Sequence, residues 1–248
     1  MLSEVAETSL LGNRQENQDR VKVVQVEQSS LLIAIDGMGG HEGGARAAEL
    51  AIETIEKFFV AQDHPILDTF GFLHMAIGHA HAAVVALGAN IAIEARPRAT
   101  CALCLVQDGA AFWAHVGDSR IYHLRGNQIK EHSRDHSHVE VLLYEGAITR
   151  EELASHPMRN YVECCLGGDA ELPRMSIAAS KSMRNGDIML VCSDGFWSPL
   201  SDAKLAGLGA ADGSLQENLK ALCAIATKTA APHSDNTSAA ALSFFSAD

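Results

Sequence analysis

LLIAIDGMGGH, residues Leu31–His41, joins an unbroken apolar run to an acidic residue and a cluster of glycines. The run Leu31–Ile35 is bounded by turn residues and is typical of a buried strand. Asp36 at the end of such a strand would stand on a rigid base, and the glycines behind it allow the backbone to come close. Two interpretations stay open from this stretch alone. It forms a tight Asp-Gly turn, or it forms one part of a site for a hard cation with carboxylate and carbonyl ligands.

The composition is that of a globular protein with an excess of acidic residues. The chain has 248 residues, is 47% hydrophobic and carries a net charge of −12, which suffices for one large domain or two small ones. The negative charge argues against nucleic acid as a partner, because phosphate backbones attract basic surfaces. No apolar run approaches the roughly 20 residues of a membrane span, and the first residues lack the basic start of a secretory signal. We therefore expect no membrane partner.

The six cysteines lie mostly in apolar runs and do not form a disulfide framework, so a reducing cytoplasmic location is expected. Cys101 and Cys104 have CxxC spacing, but they lie in a stretch typical of a strand. An offset of three then puts the thiols on opposite faces, which favours a core role over a zinc or redox site.

The periodicity along the chain predicts mostly hairpin-linked strands with helices in pairs. The first strands form a hairpin over residues 20–35. Apolar residues at helical spacing predict helices over about 43–60 and 66–87 and a last amphipathic helix near 215–225. Further strands are predicted over residues 99–106, 110–116, 121–124, 188–192 and 238–245. Because this is not an alternation of strand and helix, antiparallel sheets covered by helices are favoured over a parallel sheet.

Residues 133–170 are polar and rich in histidine, which is typical of an inserted surface lobe with two short helices. We expect His132, His136 and His138 to lie on its surface. Asp187 follows Asn185-Gly186 and is interpreted as a turn residue.

Four other acids share the position of Asp36 at a predicted strand end. Asp194 repeats its context of apolar strand, Asp and Gly; Asp235 precedes the last strand, Asp118 lies in a tight turn, and Asp19 starts the first strand. If these carboxylates converge, a shared divalent cation would relieve their repulsion. Ligands that are all oxygen favour Mg²⁺ or Mn²⁺ over zinc. Each acid taken alone is equally compatible with a turn or a helix cap.

The motifs around these acids resemble, in order along nearly the whole chain, those of metal-dependent serine/threonine protein phosphatases of the 2C type (the PPM family) in their bacterial form. The matching segments are RQENQD (14–19), DGMGGH (36–41), VGDSR (116–120), DHS (135–137), EGAIT (145–149), HPMRN (156–160), CSDG (192–195) and SDN (234–236). One such match would be weak, whereas the ordered series is specific.

The resemblance implies an α+β fold, a four-layer α/β/β/α sandwich of two antiparallel β-sheets flanked by helix pairs. It implies a single catalytic domain over residues 1–248 with a flap at 133–170. The implied activity is hydrolysis of phosphoserine and phosphothreonine in proteins by water activated at two or three Mg²⁺ or Mn²⁺ ions. The implied partners are phosphorylated proteins and a cognate serine/threonine kinase, and the 97–101 segment is similar to that of phosphatases encoded with type VI secretion systems.

The same resemblance assigns roles to single positions. By it, Asp36 bridges two metals, and the remaining implied metal ligands are Gly37 through its carbonyl, Asp118 at a third ion, Asp194 and Asp235. Asp19 would act through water, and Arg14 would clamp the substrate phosphate. His41 is a further catalytic candidate, either in proton transfer or as a cap of the following helix.

The sequence departs from the family pattern at three places. Met38 stands where eukaryotic members have histidine, Arg98-Ala99-Thr100 replaces Gly-Thr-Thr, and Cys164 or its neighbour replaces an arginine near the end of the flap. These changes concern the leaving-group acid and the flap, not the metal acids. Two alternatives are an inactive phosphoprotein-binding module and a hydrolase of small phosphoesters.

Overall fold

The structure is a computed structural model that describes residues 2–38 and 42–245. The strands are β1 (Leu2–Leu10), β2 (Asp19–Val26), β3 (Ser29–Met38), β4 (Arg98–Ala99), β5 (Cys101–Gln107), β6 (Ala110–Val116), β7 (Arg120–Arg125), β8 (Gln128–His132), β9 (Leu166–Gly167), β10 (Ser176–Ser182), β11 (Asp187–Cys192) and β12 (Thr237–Phe245). The α-helices are α1 (Glu42–Val60), α2 (Thr69–Leu87), α3 (His138–Tyr144), α4 (Asp194–Trp197), α5 (Asp202–Ala206) and α6 (Leu215–Ala230). Short 3₁₀ helices cover Ile93–Ala95, Leu153–Ser155 and Gly207–Ala210.

The strands form two antiparallel sheets. The five-stranded sheet has the order β1-β12-β11-β7-β8. The seven-stranded sheet has the order β10-β6-β5-β3-β4-β9, with β2 paired to β3. Consecutive strands β6 and β7 belong to different sheets, so the chain crosses from one sheet to the other at residues 117–119.

Three separate hydrophobic clusters show the four layers. One lies between α1, α2 and the seven-stranded sheet, the second between the two sheets, and the third between the five-stranded sheet and α6. Strand β3 contributes to two of them, which explains its unbroken apolar sequence. Alternate residues point to opposite faces of a strand, so Leu31, Ile33 and Ile35 face the helices while Leu32 and Ala34 face the other sheet. The predicted sandwich is confirmed.

The outer helical layers are unequal. Helices α1 and α2 pack side by side on the seven-stranded sheet, whereas the other sheet is covered by the long α6 and the short α4 and α5. Helix α6 begins with a capping box in which Ser214 and Glu217 satisfy each other's backbone N–H groups. Helix α2 is long and apolar enough to cross a membrane by length and composition, but its buried face, including Leu73 and Ile77, belongs to the core.

The structure corrects the expectations for two side chains, His136 and Asp187, and confirms the one for the cysteines of β5. His136 is buried rather than on the flap surface, and burial, with His115 and Arg174 nearby, lowers its pKa to about 4. Asp187 is buried completely and accepts hydrogen bonds from Arg125, so it is more than a turn residue. Cys101 and Cys104 do point to opposite faces of β5, into two different clusters.

The predicted flap is only partly helical. Its first helix is α3, but the second predicted helix is reduced to the 3₁₀ turn Leu153–Ser155. Its end returns to the body of the protein through β9, which pairs with β4 at the edge of the seven-stranded sheet.

Candidate active site

Strands β2 and β3 place two acids side by side at one end of the sandwich. Their antiparallel register sets Asp19 directly opposite Asp36. Asp19 lies two residues before Val21 in β2, and Asp36 lies two residues after Ala34 in β3, so each acid is on the same face of its strand as that neighbour. Val21 and Ala34 face the space between the sheets. The two carboxylates therefore point into the space between the sheets, just beyond the end of the apolar core there.

The five-stranded sheet brings the other acids to the same end. Asp194 begins α4 two residues after β11, and Asp235 lies two residues before β12, the antiparallel partner of β11. Asp118 lies in the turn that crosses from β6 to β7, between the sheets. The site is therefore assembled from strand ends of both sheets.

The charges of these five acids act on one another. Burial, followed by the charges of Asp19, Asp194, Asp118 and Asp235, raises the pKa of Asp36 well above its usual range. Burial raises the pKa of Asp19 to about 7, and burial with the neighbouring Asp235 raises that of Asp194 to about 6. For Asp118, burial and then Asp194 raise the pKa well above its usual range. So many carboxylates can ionise together only if a positive charge offsets them.

The donor set fits a hard divalent cation. It consists of carboxylate oxygens and nearby backbone carbonyls, which are ligands of Mg²⁺ and Mn²⁺. In the described part of the chain, no three Asp, Glu, His or Cys side chains lie in an arrangement that would hold a metal ion as they stand. Protein groups hold them instead: Arg14 donates to Asp235 Oδ2 at 2.6 Å, and the carboxyls of Asp36 and Asp194 share a hydrogen bond. Coordination of an ion would replace these contacts.

Gly37 is required by the close approach of the α1 N-terminal segment. A Cβ at this position would overlap the carbonyl oxygen of Gly44 and would come within 2.9 Å of the Gln18 carbonyl oxygen. The Gly37 N–H donates to the same Gln18 carbonyl at 3.1 Å. A side chain here would therefore push α1 away from β3 and disturb the position of Asp36.

Arg14 lies at the mouth of the site. Its side chain is 57% exposed while it contacts Asp235, and Asn13, Glu16 and Gln18 line a shallow pocket around it. This position suits a guanidinium that meets an incoming phosphate. His41 lies outside the described residues, as do the neighbouring residues 39 and 40.

Two buried polar residues that the sequence did not single out hold the acids. Ser193 Oγ donates to Asp19 Oδ2 at 2.7 Å. Asn236 accepts from the Gln18 N–H at 2.8 Å and donates to the Leu11 and Glu16 carbonyls at 2.9 and 3.0 Å. Asn236 thus ties the segment before β2 to the segment before β12. Their only signal was adjacency to Asp194 and Asp235 in the motifs SDG and DN.

A cleft runs from the acids toward the flap. Its volume is about 400 Å³, and its lining includes Asp118, Asp194, Trp197, Leu153 and Arg159. One wall is therefore the acidic site, and the other is the flap. The cleft is large enough for residues that flank a phosphorylated side chain.

The sequence profile of the family described as protein phosphatase 2C matches residues 7–234. The serine/threonine protein phosphatase PstP of Mycobacterium tuberculosis is 33% identical over 177 residues, which are 69% of this chain and 32% of PstP. The protein phosphatase PhpP of Streptococcus pneumoniae is 28% identical over 214 residues, 84% of this chain and 85% of PhpP. The chain thus spans about a third of PstP but most of PhpP.

Solved structures agree with the sequence relatives. The serine/threonine phosphatase of S. agalactiae superposes with a TM-score of 0.88 at 26% identity, covering 98% of this chain and 99% of that one. The catalytic domain of PstP in complex with two manganese ions superposes with a TM-score of 0.82 at 25% identity, covering 98% and 99%. PppA, described as a regulatory component of the type VI secretion system in Pseudomonas aeruginosa, superposes with a TM-score of 0.79 at 26% identity, covering 98% and 99%. With the profile match over most of its length, the chain belongs to the protein phosphatase 2C family.

Proposed function

We propose that this chain is a serine/threonine protein phosphatase that hydrolyses phosphoserine and phosphothreonine in proteins at a dinuclear Mg²⁺ or Mn²⁺ centre. The observation that carries the proposal is the convergence of Asp19, Asp36, Asp118, Asp194 and Asp235 at one end of the sandwich. Burial and mutual repulsion raise the pKa values of four of them, Asp19, Asp36, Asp118 and Asp194. The two manganese ions of the PstP catalytic domain support this choice of metal.

The acids of the site would have different roles, which depend on where they lie. Asp36, Asp194 and Asp235 would hold the ions together with the Gly37 carbonyl, and Asp118 would hold a further, weaker one. When bound, the metal pair would supply a water of lowered pKa that attacks phosphorus directly. Asp19, held by Ser193 at 2.7 Å, would orient water from behind the ligands.

Arg14 would bind the phosphate. Its guanidinium already donates to one carboxylate oxygen of Asp235, and a phosphate offers the same kind of acceptor with more charge. The exposed side chain can turn from Asp235 toward a substrate without unfolding any element. Arg14 would thereby orient the phosphate at the mouth of the site.

The partners are then phosphorylated proteins and a serine/threonine kinase whose action the enzyme reverses. The likeness to PppA supports a role in the control of type VI secretion. The six cysteines are all free, which supports the cytoplasm as the site of action. Neither nucleic acid nor a membrane is part of the proposal.

The test is turnover of p-nitrophenyl phosphate and of phosphoserine and phosphothreonine peptides with Mn²⁺, with a chelator, and in Asp36→Ala. We expect activity that depends on metal and is lost in the variant. Activity that survives both the chelator and the substitution would refute the mechanism.

Two measurements separate the alternatives. An inactive phosphoprotein-binding module would bind phosphopeptides but not turn them over. A hydrolase of small phosphoesters would show a higher kcat/KM on metabolites than on phosphopeptides. A comparison of phosphoproteomes with and without the protein would then identify its substrates.

A further inference from the structure

The turn that carries Asp118 is held from two directions by the protein around it. On the side of β3, Ser119 Oγ and Thr100 Oγ1 are 2.6 Å apart and buried, and Thr100 in turn accepts from the Asp36 N–H at 3.2 Å. At the start of the turn, the Gly117 N–H donates to His136 Nδ1 at 3.3 Å. The His136 N–H also donates to the Gly117 carbonyl at 2.9 Å. Gly117 has a φ of +98°, a conformation that glycine adopts without strain.

A further hydrogen bond to this turn comes from α4. The indole Nε1–H of Trp197 donates to the carbonyl oxygen of Asp118 itself at 3.0 Å. Trp197 lies three residues after Asp194, one turn further along the same short helix. Helix α4 therefore carries one acid of the site, Asp194, and donates a hydrogen bond to a second, Asp118, through the Trp197 indole.

The indole of Trp197 is contacted in turn by Arg120, which forms an ion pair with Asp135. The Arg120 guanidinium carbon lies over the Trp197 ring, 3.3 Å from its centre, in a cation–π contact. Arg120 also donates to both carboxylate oxygens of Asp135, at 2.7 and 2.8 Å. Asp135 lies in the first residues of the flap segment and is 9% exposed. A continuous chain of contacts thus runs from the flap through Arg120 and Trp197 to Asp118.

We propose that Trp197 is a positioning residue for Asp118, and that the Arg120–Asp135 pair links its position to the base of the flap. The inference rests on the proposed metal role of Asp118. The direction of the Asp118 side chain follows from the orientation of its own peptide, and Trp197 fixes that peptide through its carbonyl oxygen. Arg120 and Asp135 contribute to this position through the indole, which Arg120 contacts.

The size of the effect follows from the removal of a single hydrogen bond. Trp197→Phe keeps an aromatic ring under Arg120 but removes the N–H donor. Loss of one neutral hydrogen bond changes an equilibrium by about three- to tenfold. We therefore expect Mn²⁺ binding at Asp118 to weaken by about this factor, while the ions held by Asp36, Asp194 and Asp235 bind as before.

The experiment counts bound Mn²⁺ directly, by the electron paramagnetic resonance signal of the free ion, in the full chain. The variants are Trp197→Phe, Asp118→Asn and the double variant. Trp113→Phe is the matched control, because Trp113 is the other tryptophan of the chain and is buried between the sheets. The Trp113→Phe protein also leaves Trp197 as the sole indole, so quenching of its fluorescence by Mn²⁺ reports on the same site. Thermal unfolding shows whether each variant is folded.

We expect Trp197→Phe to weaken the weakest class of Mn²⁺ sites, Asp118→Asn to remove that class, and the double variant to match Asp118→Asn. Equal weakening of every class, or the same effect of Trp197→Phe with and without Asp118, would show a general structural role and overturn the proposal. If Asp118→Asn removes a class but Trp197→Phe leaves it unchanged, the inference alone is wrong. If Asp118→Asn retains every class, the metal role of Asp118 is wrong and the inference falls with it.

Discussion

Asp19 shows at the scale of one residue what the site demands of the protein. It is 3% exposed, and burial raises its pKa from 3.8 to about 7. Because the folded state binds this proton more tightly than the unfolded state, its contribution is fully favourable below about pH 4. That contribution is lost as the pH rises toward 7. We predict that the metal-free protein loses stability over this range, by up to about 4 kcal/mol from Asp19.

Urea unfolding in the presence of a chelator between pH 4 and pH 8 tests this prediction. Asp19→Asn should be more stable than the natural protein at pH 8 and should show a flatter pH dependence, because asparagine carries no charge to bury. At pH 4 the two proteins should differ little. Parallel curves across the whole range would contradict the prediction.

Arg14 is the residue that we expect to act on the substrate rather than on the metal. Removal of a charge-assisted hydrogen bond costs about 1.5–3 kcal/mol, so Arg14→Ala should lower kcat/KM on phosphopeptides by about ten- to a hundredfold. Arg14→Lys keeps the charge but loses the planar fork and should recover only part of the activity. Arg184→Ala, an exposed arginine in the turn before β11, should leave kcat/KM unchanged. A loss confined to Mn²⁺ affinity would instead place Arg14 with the metal ligands.

At this scale the acids could be predicted from the sequence, but the residues that hydrogen-bond to them could not. Asp36 and Asp194 each follow an apolar strand and precede a glycine, a pattern visible in the sequence. Ser193 and Asn236 act through hydrogen bonds to residues 174 and 218 positions away. Such pairings follow only from the fold, because serine and asparagine next to a turn have no distinguishing local pattern.

At the scale of the secondary-structure elements, Asp187 joins β11 to β7. Its carboxylate accepts from Arg125 Nε and Nη2, each at 2.6 Å, from His123 Nε2 at 2.9 Å and from the Arg184 N–H at 2.8 Å. Asp187→Ala leaves these donors without their shared acceptor. We predict a loss of about 2–4 kcal/mol in the free energy of unfolding.

Denaturant unfolding measures this loss, and Asp212→Ala is the control. Asp212 is exposed, so its removal should change stability by no more than about 0.5 kcal/mol. The kcat of the folded Asp187→Ala protein should be unchanged, because the residue lies at the end of β11 away from Asp194. Equal stability of the two variants would contradict the structural role of Asp187.

Strand β1 is the longest of the elements that the sequence did not predict. Leu2–Leu10 pairs with β12 along its whole length, from Leu2 with Phe245 to Leu10 with Thr237. Its sequence carries two glutamates, and among the apolar residues of 3–10 only Ala6 is buried completely enough to enter a cluster core. Such a strand has little intrinsic preference for its conformation and depends on its partner. Strands β3 and β11 are buried on both faces, and their unbroken apolar sequences predict them directly.

At the scale of the whole molecule, the candidate site lies at one end of the sandwich, where strand ends of both sheets come together. Asp19 and Asp36 belong to the seven-stranded sheet, Asp194 and Asp235 to the five-stranded sheet, and Asp118 to the turn between them. The sequence predicted the layers, because alternation and apolar runs determine which faces are buried. It did not specify their register, which depends on pairings such as Asp19 with Asp36.

A cation at this junction would link the sheets, so its binding should stabilise the entire protein. A ligand present at a hundred times its dissociation constant stabilises the folded state by about 2.7 kcal/mol. For a chain of this length, that corresponds to a rise in Tm of roughly 5–10 °C. Mn²⁺ should produce this rise in the natural protein, as measured by thermal unfolding with the metal and with a chelator.

Asp36→Asn should unfold at a higher temperature than the natural protein in the chelator, because a buried charge is removed, yet it should gain little from Mn²⁺. Asp212→Asn, the exposed control, should respond as the natural protein does. An equal rise in Asp36→Asn and in the natural protein would place the stabilising ion elsewhere and separate the five acids from metal binding.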